Sequence, residues 1–392
     1  MRFISAHKIV TITQGVLNKG LVVVDDNGEI KDVLDSEHEI DPLKIETHEG
    51  IICPGFINTH CHLELSHLHH QLGQKTGIVN FAKELISKRF SADQEYVQAC
   101  IKKADEEMWK NGIVAVGDIS NDESSFDVKA DSGIQYHTFI ELLALHPERA
   151  EMVMNYGTSL EEKLKAKNLR ASLSPHAPYS VSSTLLKLMG AYAGKNKQVV
   201  SMHNQESIAE DDFIRNKKGD FLKLYEFLKI PIDYYEPTGL SALKASLSHL
   251  KNNNAVLLVH NTFTSDEDIQ WALKEQEKIY WCLCPNANLY IEGRLPDVYQ
   301  FIKQGCKMTI GTDSLASNHQ LCILSELKLL AKNFPALNTI DLLQWACLNG
   351  AELLGLEKVY GSIEKGKRPG LNLITSTQEE SLTAESKIIK LI

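Results

Sequence analysis

Two histidines separated by a single residue, His60 and His62, stand just after the apolar run 51–57. Such a run predicts a buried strand, and residues i and i+2 of a strand point to the same face. Both imidazoles could therefore bind one metal ion, at about 2.0–2.1 Å from each nitrogen if the ion is zinc. The pair alone is weak evidence, because the five histidines within residues 60–70 could equally form a solvated surface tract.

Three more potential ligands, His203, His260 and Asp313, stand at the ends of other predicted strands. A mononuclear hydrolytic metal site needs three or four nitrogen or oxygen ligands and a water whose pKa the ion lowers towards neutrality. The histidine pair together with His203 and Asp313 meets that count. We therefore predict one divalent metal ion, with Zn²⁺ as the first choice and Fe²⁺ as the alternative.

A carboxylate and a histidine are the candidates for proton transfer. Glu206 stands three residues after His203, where it could take the proton of the attacking water and pass it to the leaving group. We therefore predict Glu206 as the general acid and base. His260 could be a further metal ligand, but a hydrogen bond to the attacking water or to the developing oxyanion suits it better.

Eight short β-rich runs alternate with stretches of helical periodicity, which predicts an α/β fold, a (β/α)8 TIM barrel. Functional groups of such barrels lie at the carboxyl ends of the strands, where the candidates above stand. The predicted strands are 57–62, 114–119, 135–142, 170–176, 199–203, 255–260, 279–284 and 307–313.

The two ends of the chain predict β structure outside the barrel. Residues 20–30 are typical of a hairpin, in which Asn27 and Gly28 would supply the positive φ angles of a type I′ turn. The stretch 361–375 has further short apolar runs with glycine and proline. The predicted domains are a small β-sandwich built from residues 1–52 and 361–392 and a (β/α)8 metal-dependent hydrolase domain at residues 53–360.

Composition restricts the class of partner. The 392 residues carry a formal net charge of −10, and no basic stripe is present that could bind nucleic acid, so a small-molecule substrate is predicted. No apolar run approaches the about eighteen residues of a membrane span, and the first residues lack the order of a secretory signal, so we expect no membrane association and a cytoplasmic location. The eight cysteines include no CxxC pair, which argues against a disulfide framework. Homo-oligomerisation stays open.

Five motifs in chain order resemble those of the amidohydrolase superfamily. More narrowly, they resemble the branch of chlorohydrolases and of cytosine, guanine, adenosine-type and aminodeoxyfutalosine deaminases. The resemblance implies a barrel flanked by a β-sandwich, one divalent metal on the four ligands named above, and the roles given to Glu206 and His260. The motifs are PGFINTHCH at 54–62, HNQE at 203–206, VHN at 259–261, CPNAN at 284–288 and GTDS at 311–314.

The resemblance favours hydrolytic deamination of an amino-substituted heterocycle, with an adenine nucleoside-like compound as the favoured substrate. Hydrolysis of a chloro group or of a cyclic amide uses the same metal site and is the alternative. A non-catalytic binding or scaffold barrel is a remote alternative, because such a protein would be expected to have lost ligands that this chain keeps. No lysine ends the fourth predicted strand, where binuclear relatives carry a carboxylated one, so a single metal is expected.

Glu64 and His176 are the candidate substrate-binding residues. Glu64 could bind a ribose hydroxyl, although it could instead orient His62 or pair with Arg294. His176 stands at the end of the fourth predicted strand and could supply a second polar contact. The long connection 204–254 is rich in aromatic residues, which predicts either a lid or substrate wall or, equally, additional core packing.

Overall fold

Fifteen strands are present in the part of the chain that the computed structural model describes, residues 1–35, 40–250, 255–378 and 381–392. Five strands precede the barrel, eight form it and two follow it. They are β1 (Arg2–Val10), β2 (Val16–Asn18), β3 (Leu21–Val24), β4 (Ile30–Leu34), β5 (Ile45–Pro54), β6 (Phe56–Cys61), β7 (Ile113–Ser120), β8 (Gln135–Leu142), β9 (Arg170–Pro175), β10 (Val199–Asn204), β11 (Ala255–His260), β12 (Ile279–Leu283), β13 (Lys307–Ile310), β14 (Leu371–Thr375) and β15 (Lys387–Lys390).

Fourteen α-helices occupy the connections from β6 onwards in the same described ranges. Several begin at a residue that caps the helix; the side chains of Asp93, Ser182 and Ser265 each accept a hydrogen bond from the backbone N–H three residues later. The helices are α1 (Ile78–Lys88), α2 (Gln94–Lys110), α3 (Phe126–Asp131), α4 (Ala150–Ala166), α5 (Ser183–Asn196), α6 (Ile208–Asn216), α7 (Phe221–Phe227), α8 (Ala242–Leu247), α9 (Asp266–Glu275), α10 (Pro285–Ile291), α11 (Val298–Lys303), α12 (Ile323–Asn333), α13 (Thr339–Ala346) and α14 (Leu348–Leu354).

Strands β6 to β13 form a parallel barrel in two four-stranded halves, β6–β9 and β10–β13. The halves meet on one side where the backbone N–H of His203 donates to the carbonyl of His176 at 2.9 Å. On the other side Cys61 forms a parallel bridge with Asp313. The predicted (β/α)8 barrel is thereby confirmed with all eight strands. The largest boundary difference is at β13, which ends at Ile310 instead of residue 313. Beyond Ile310 the backbone N–H groups of Thr312 and Asp313 both donate to the carbonyl of His60.

The barrel strands are buried on both faces. All six residues of β11, AVLLVH, are buried, as expected for a parallel strand covered by side chains inside and helices outside. Close strand packing also depends on Gly117 in β7, since a Cβ there would lie 2.7 Å from the carbonyl oxygen of Thr59 in β6. A dense apolar barrel therefore holds the strand ends in fixed positions.

The two ends of the chain meet in one seven-stranded sheet. Its order is β15-β14-β5-β1-β3-β4, with β2 paired to β1; β1 and β5 are parallel and the other pairs are antiparallel. The expected β structure from both termini is present. Among the described residues all seven strands are hydrogen-bonded into a single continuous sheet, and its arrangement as a sandwich stays a prediction. The predicted division between 1–52 with 361–392 and 53–360 stays a prediction; β5 itself continues to Pro54.

The predicted hairpin connects β3 and β4, but its turn differs from the prediction. Asp25 N donates to the Glu29 carbonyl and Gly28 N to the Asp25 carbonyl, each at 3.0 Å. Gly28 has a positive φ of 78°, whereas Asn27 does not have a positive φ. The register also shifts between Val23 and Val24, which shows a bulged hairpin in place of a type I′ turn.

The long connection after β10 contains helices α6, α7 and α8, and residues 251–254 of it lie outside the described ranges. Part of its aromatic content is packed inside the molecule: Phe221 stacks on Tyr179 at a centroid distance of 4.1 Å, and the hydroxyl of Tyr225 donates to the Tyr179 carbonyl. Phe227 of the same connection is exposed. Lid motion of this connection stays a prediction. Within the described residues, no helix combines the length and apolar character needed to span a bilayer.

Candidate metal centre and active-site cavity

Three histidines from two distant strands converge at the carboxyl ends of the barrel. Potential ligand nitrogens of His60, His62 and His203 all lie within 4.8 Å of one another. The Nε2 atoms of His62 and His203 are 3.3 Å apart. His60 lies in β6, His62 directly follows the end of that strand, and His203 comes from β10 on the other half of the barrel. Closure of the barrel therefore brings together the residues that the sequence spacing singled out.

Asp313 completes this group from the turn after β13. Its Oδ1 lies 3.6 Å from His60 Nε2 and 3.5 Å from His62 Nε2, and its Oδ2 accepts a 2.5 Å hydrogen bond from the Ser317 hydroxyl. Burial by itself would raise the pKa of the Asp313 carboxyl, but the nearby imidazoles of His60, His62 and His260 hold it well below its usual range. The side chain is thus an ionised carboxylate directed at the histidines.

The donor set fits a divalent cation. Both ring nitrogens of His60 are buried without a hydrogen-bond partner among the described residues, which is costly unless another group binds them. His203 donates from Nδ1 to the carbonyl of His176 at 2.8 Å, which leaves its Nε2 free on the side of the other histidines. Burial lowers the pKa of His203 to about 4, so its imidazole is neutral, as metal ligation requires.

Three residues around this group have a backbone conformation that is unusual for residues other than glycine. Gln205, His260 and Asp313 have positive φ angles of 44°, 73° and 56°. Residues other than glycine rarely adopt this conformation, and it occurs mainly where the surroundings enforce it for a functional reason. His260 and Asp313 are predicted site residues, and Gln205 directly precedes the predicted acid and base Glu206.

Glu206 and His260 lie side by side next to the ligand group. Glu206 Oε1 is 3.7 Å from His260 Nε2, and neither this oxygen nor His260 Nδ1 has a hydrogen-bond partner among the described residues. Burial, reinforced by the negative charge of Asp313, raises the pKa of Glu206 well above its usual value. A carboxyl group in such surroundings is suited to hold and release a proton.

One acidic residue near His203 was missed by the sequence reasoning. Glu141, at the end of β8, is buried and its Oε1 lies 3.5 Å from His203 Nδ1, while its Oε2 accepts a hydrogen bond from Asn121. Together with His176 and His203 it forms a second group of potential ligands. This group shares His203, whose Nδ1 already donates to a carbonyl, so it does not add an independent metal site. The strand-end rule that found the histidines could also have found Glu141.

The two predicted substrate-binding residues occupy different positions. His176 lines the cavity described below; its Nδ1 is 2.7 Å from the Ser180 hydroxyl, and burial lowers its pKa to about 4. Glu64 does not line that cavity: its two oxygens accept hydrogen bonds from Arg89, at 2.6 Å, and from the backbone N–H of Asn121, at 2.9 Å. Its ion-pair partner is therefore Arg89, not Arg294, which lies over the ring of Phe263.

A cavity of about 360 Å³ opens beside the ligand group. His62, His203 and Asp313 reach it together with Glu206 and His260. Much of its apolar lining comes from helices α1 and α7, and its other polar groups include His176, Arg89, Asn121, Glu141 and Arg149. A mostly apolar pocket with a few convergent polar groups is typical of a small-molecule site.

Comparison with known proteins gives relatives that share this architecture. Residues 51–390 match the amidohydrolase family. An adenosine deaminase of Helicobacter pylori is 28% identical over 89% of this chain and 85% of its own length. The solved structure of Helicobacter pylori aminofutalosine deaminase in complex with methylthio-coformycin is 24% identical, with a TM-score of 0.83 over 99% of this chain and 97% of that one.

A further solved structure with the same fold contains a metal. It is an adenosine deaminase from Xanthomonas campestris with bound zinc, 20% identical, with a TM-score of 0.74 over 95% of this chain and 84% of that one. The resemblance drawn from the sequence motifs is confirmed, and the family match extends over most of the chain. The chain belongs to the amidohydrolase family.

Proposed function

We propose that this protein is a metal-dependent hydrolytic deaminase that removes the exocyclic amine of an adenine nucleoside-like compound. The observation that carries the proposal is the pairing of Glu206 with His260 beside the His60, His62, His203 and Asp313 group, at a cavity large enough for a drug-sized molecule. The deaminase names of relatives that match most of the chain support the reaction class.

The four ligand residues would hold one divalent ion, with Zn²⁺ as the first choice and Fe²⁺ as the alternative. When bound, such an ion lowers the pKa of a water and stabilises negative charge that develops during hydrolysis. The unpartnered nitrogens of His60 and the ionised Asp313 support this assignment. His176 stands where a binuclear relative would carry a lysine, which supports a single ion.

Glu206 would move the proton in this reaction. It would accept a proton from the attacking water and then deliver it to the amine, so that ammonia can leave. The buried position of the carboxyl and the raised direction of its pKa support the second step, because burial favours the protonated form that donates. His260, 3.7 Å from Glu206, would hold the oxygen of the attacking water by a hydrogen bond.

The substituents of the nucleoside would be recognised elsewhere in the cavity. We assign His176 and Glu141 to polar contacts with the base or ribose, since both line the cavity and Glu141 Oε1 has no partner among the described residues. Glu64 would act through Arg89, whose guanidinium it fixes. Arg149 is exposed at the rim, and its guanidinium forms no hydrogen bond or ion pair with another described residue, so it would bind an anionic group on the 5′ substituent.

Ammonia release from a panel of amines tests the substrate class. We expect faster release from adenine nucleosides with a large 5′ substituent than from free adenine, because buried polar groups discriminate strongly against an analogue that lacks their partners. For a substrate whose 5′ substituent ends in a carboxylate, Arg149→Ala should raise KM by roughly 10-fold. This is the small effect expected when a charge-assisted hydrogen bond is lost at an exposed site.

The matched control is the same variant with a neutral 5′-methylthio substrate, for which KM should not change. Equal rates on free adenine and on the nucleosides would contradict the substrate class. Activity confined to chlorinated compounds or cyclic amides would favour the alternative hydrolase reaction and leave the metal centre intact.

A further inference from the structure

A buried ion pair lies next to the backbone that follows the candidate ligand His62. Lys129 of α3 and Asp118 of β7 are both fully buried, with Nζ and Oδ2 2.6 Å apart. The lysine also donates to the hydroxyls of Ser120, at 2.8 Å, and Thr138, at 3.2 Å, so each of its three protons has an acceptor. A buried pair of this kind is weak evidence for stability, because removing two charges from water offsets most of their attraction.

The pair is connected to the histidine motif through one hydrogen bond. Asp118 Oδ1 accepts the backbone N–H of Leu63 at 2.8 Å, and Leu63 directly follows His62. The carbonyl of the same peptide unit, that of His62, accepts from Leu65 N at 3.1 Å. Both polar groups of the peptide plane after His62 are therefore held, and the N–H is held by a side chain.

The hydrogen bond from Leu63 N to Asp118 is needed because regular pairing between β6 and β7 ends before His62. In the β6–β7 ladder Asn58 pairs with Val116 and Cys61 pairs with Asp118, so β6 has one residue more than β7 in this interval. The extra residue lies in the stretch that contains His60, and no ladder pair extends to His62. A bulge re-aims side chains but leaves backbone groups without ladder partners.

We propose that Asp118 and Lys129 are positioning residues for the metal centre. Asp118 fixes the peptide plane after His62 and thereby the direction of its imidazole, and Lys129 holds the Asp118 carboxyl in the orientation in which it accepts from Leu63 N. Helix α3, on the outside of the barrel, is in this way linked to a metal ligand by two side chains. The inference rests on the proposed function only in taking His62 as a ligand.

Two uncharged double variants isolate the hydrogen-bond acceptor. Asp118→Asn with Lys129→Met keeps an oxygen that can accept from Leu63 N, whereas Asp118→Leu with Lys129→Met has nearly the same shape and no acceptor. Neither leaves an unpaired buried charge, which favours folding. Asp118→Ala with Lys129→Met removes the same acceptor with a smaller side chain. Variants with and without the acceptor can therefore still be compared if leucine does not fit.

The measurement is Zn²⁺ affinity of the full-length proteins in competition with a chromophoric chelator. We expect the asparagine variant to stay within about threefold of the parent protein and the leucine and alanine variants to bind Zn²⁺ roughly 10–100-fold more weakly, as is usual when a group supporting a ligand is lost. Equal Zn²⁺ affinity of the variants with and without the acceptor would overturn the proposal.

Glu161→Leu is the matched control for a general loss of stability. Glu161 is a buried carboxylate that accepts from Tyr192 and Gln198 away from the metal centre. Its loss should lower the melting temperature without changing Zn²⁺ affinity; a comparable loss of affinity would also overturn the positioning role. Retention of Zn²⁺ by His62→Ala would instead refute the proposed metal centre, whatever the Asp118 variants show.

Discussion

Replacing Glu206 with glutamine is expected to lower kcat by roughly 10²–10⁴-fold while the protein keeps its metal. Glutamine has the size of glutamate but cannot accept and release a proton at neutral pH. The buried carboxyl, beside His260 and with a pKa raised by burial, is the group best placed for both transfers. The measurement combines steady-state ammonia release on a confirmed nucleoside substrate with elemental analysis of the same preparation.

Glu210→Gln is the matched control for this experiment. Glu210 is a second buried glutamate in the same segment, but it does not line the cavity, and its Oε1 accepts from the backbone N–H of Gln205 at 2.9 Å. A glutamine there keeps that acceptor, so turnover should stay near that of the parent protein. Unchanged turnover in Glu206→Gln, or an equal loss in both variants, would remove Glu206 from the proton-transfer role.

Replacing His62 with alanine should reduce the bound metal from about one equivalent per chain to below about 0.1, and ammonia release should fall with it. The imidazole lies 3.3 Å from His203 and 3.5 Å from Asp313, so its loss opens one side of the ligand group. Elemental analysis after dialysis gives the metal content, and Zn²⁺ added back at high concentration tests for weak residual binding.

His70→Ala is the control from the same histidine tract. His70 is exposed and lies outside the ligand group, so its replacement should leave the metal content unchanged. Two equivalents of tightly bound metal in the parent protein, or full retention in His62→Ala, would contradict the assignment of a single centre to these residues.

The candidate centre could be predicted because its members obey one local rule. His60, His203 and His260 each stand at or near the end of an apolar run, and the carboxyl ends of barrel strands meet on one face. Long-range contacts need not be known to recognise an apolar run or to place its last residue at the carboxyl end of a barrel strand. Asp313 follows the same rule, although the left-handed turn that brings its carboxylate to the histidines could not be predicted from the sequence.

The surroundings of the centre could not be predicted in this way. The partner of Glu64 is Arg89, just after α1, and nothing in the sequence distinguishes Arg89 from Arg294 as a partner. Lys129 looks like an exposed lysine of a polar helix, yet the structure buries it against Asp118. Such pairings depend on how outer helices are placed around the barrel, which short-range patterns do not encode.

The terminal sheet illustrates the same limit. The hairpin pattern at 20–30 and the short apolar runs at 361–375 predicted β structure correctly but did not indicate the order in which the strands pair. In the structure β14 lies beside β5 and β1 lies parallel to β5, which makes one sheet. Strand order depends on contacts between distant parts of the chain, and these determine whether the strands form one layer or two.

The pairing of β14 with β5 has a consequence for synthesis of the chain on the ribosome. The side-chain amide of Asn372 donates to the carbonyl of Pro54 across a separation of 318 residues. Until translation reaches β14, the β5 edge that will receive it has no partner strand from this chain, and unpaired edges promote association between nascent chains. The last strands to be made therefore protect one of the first.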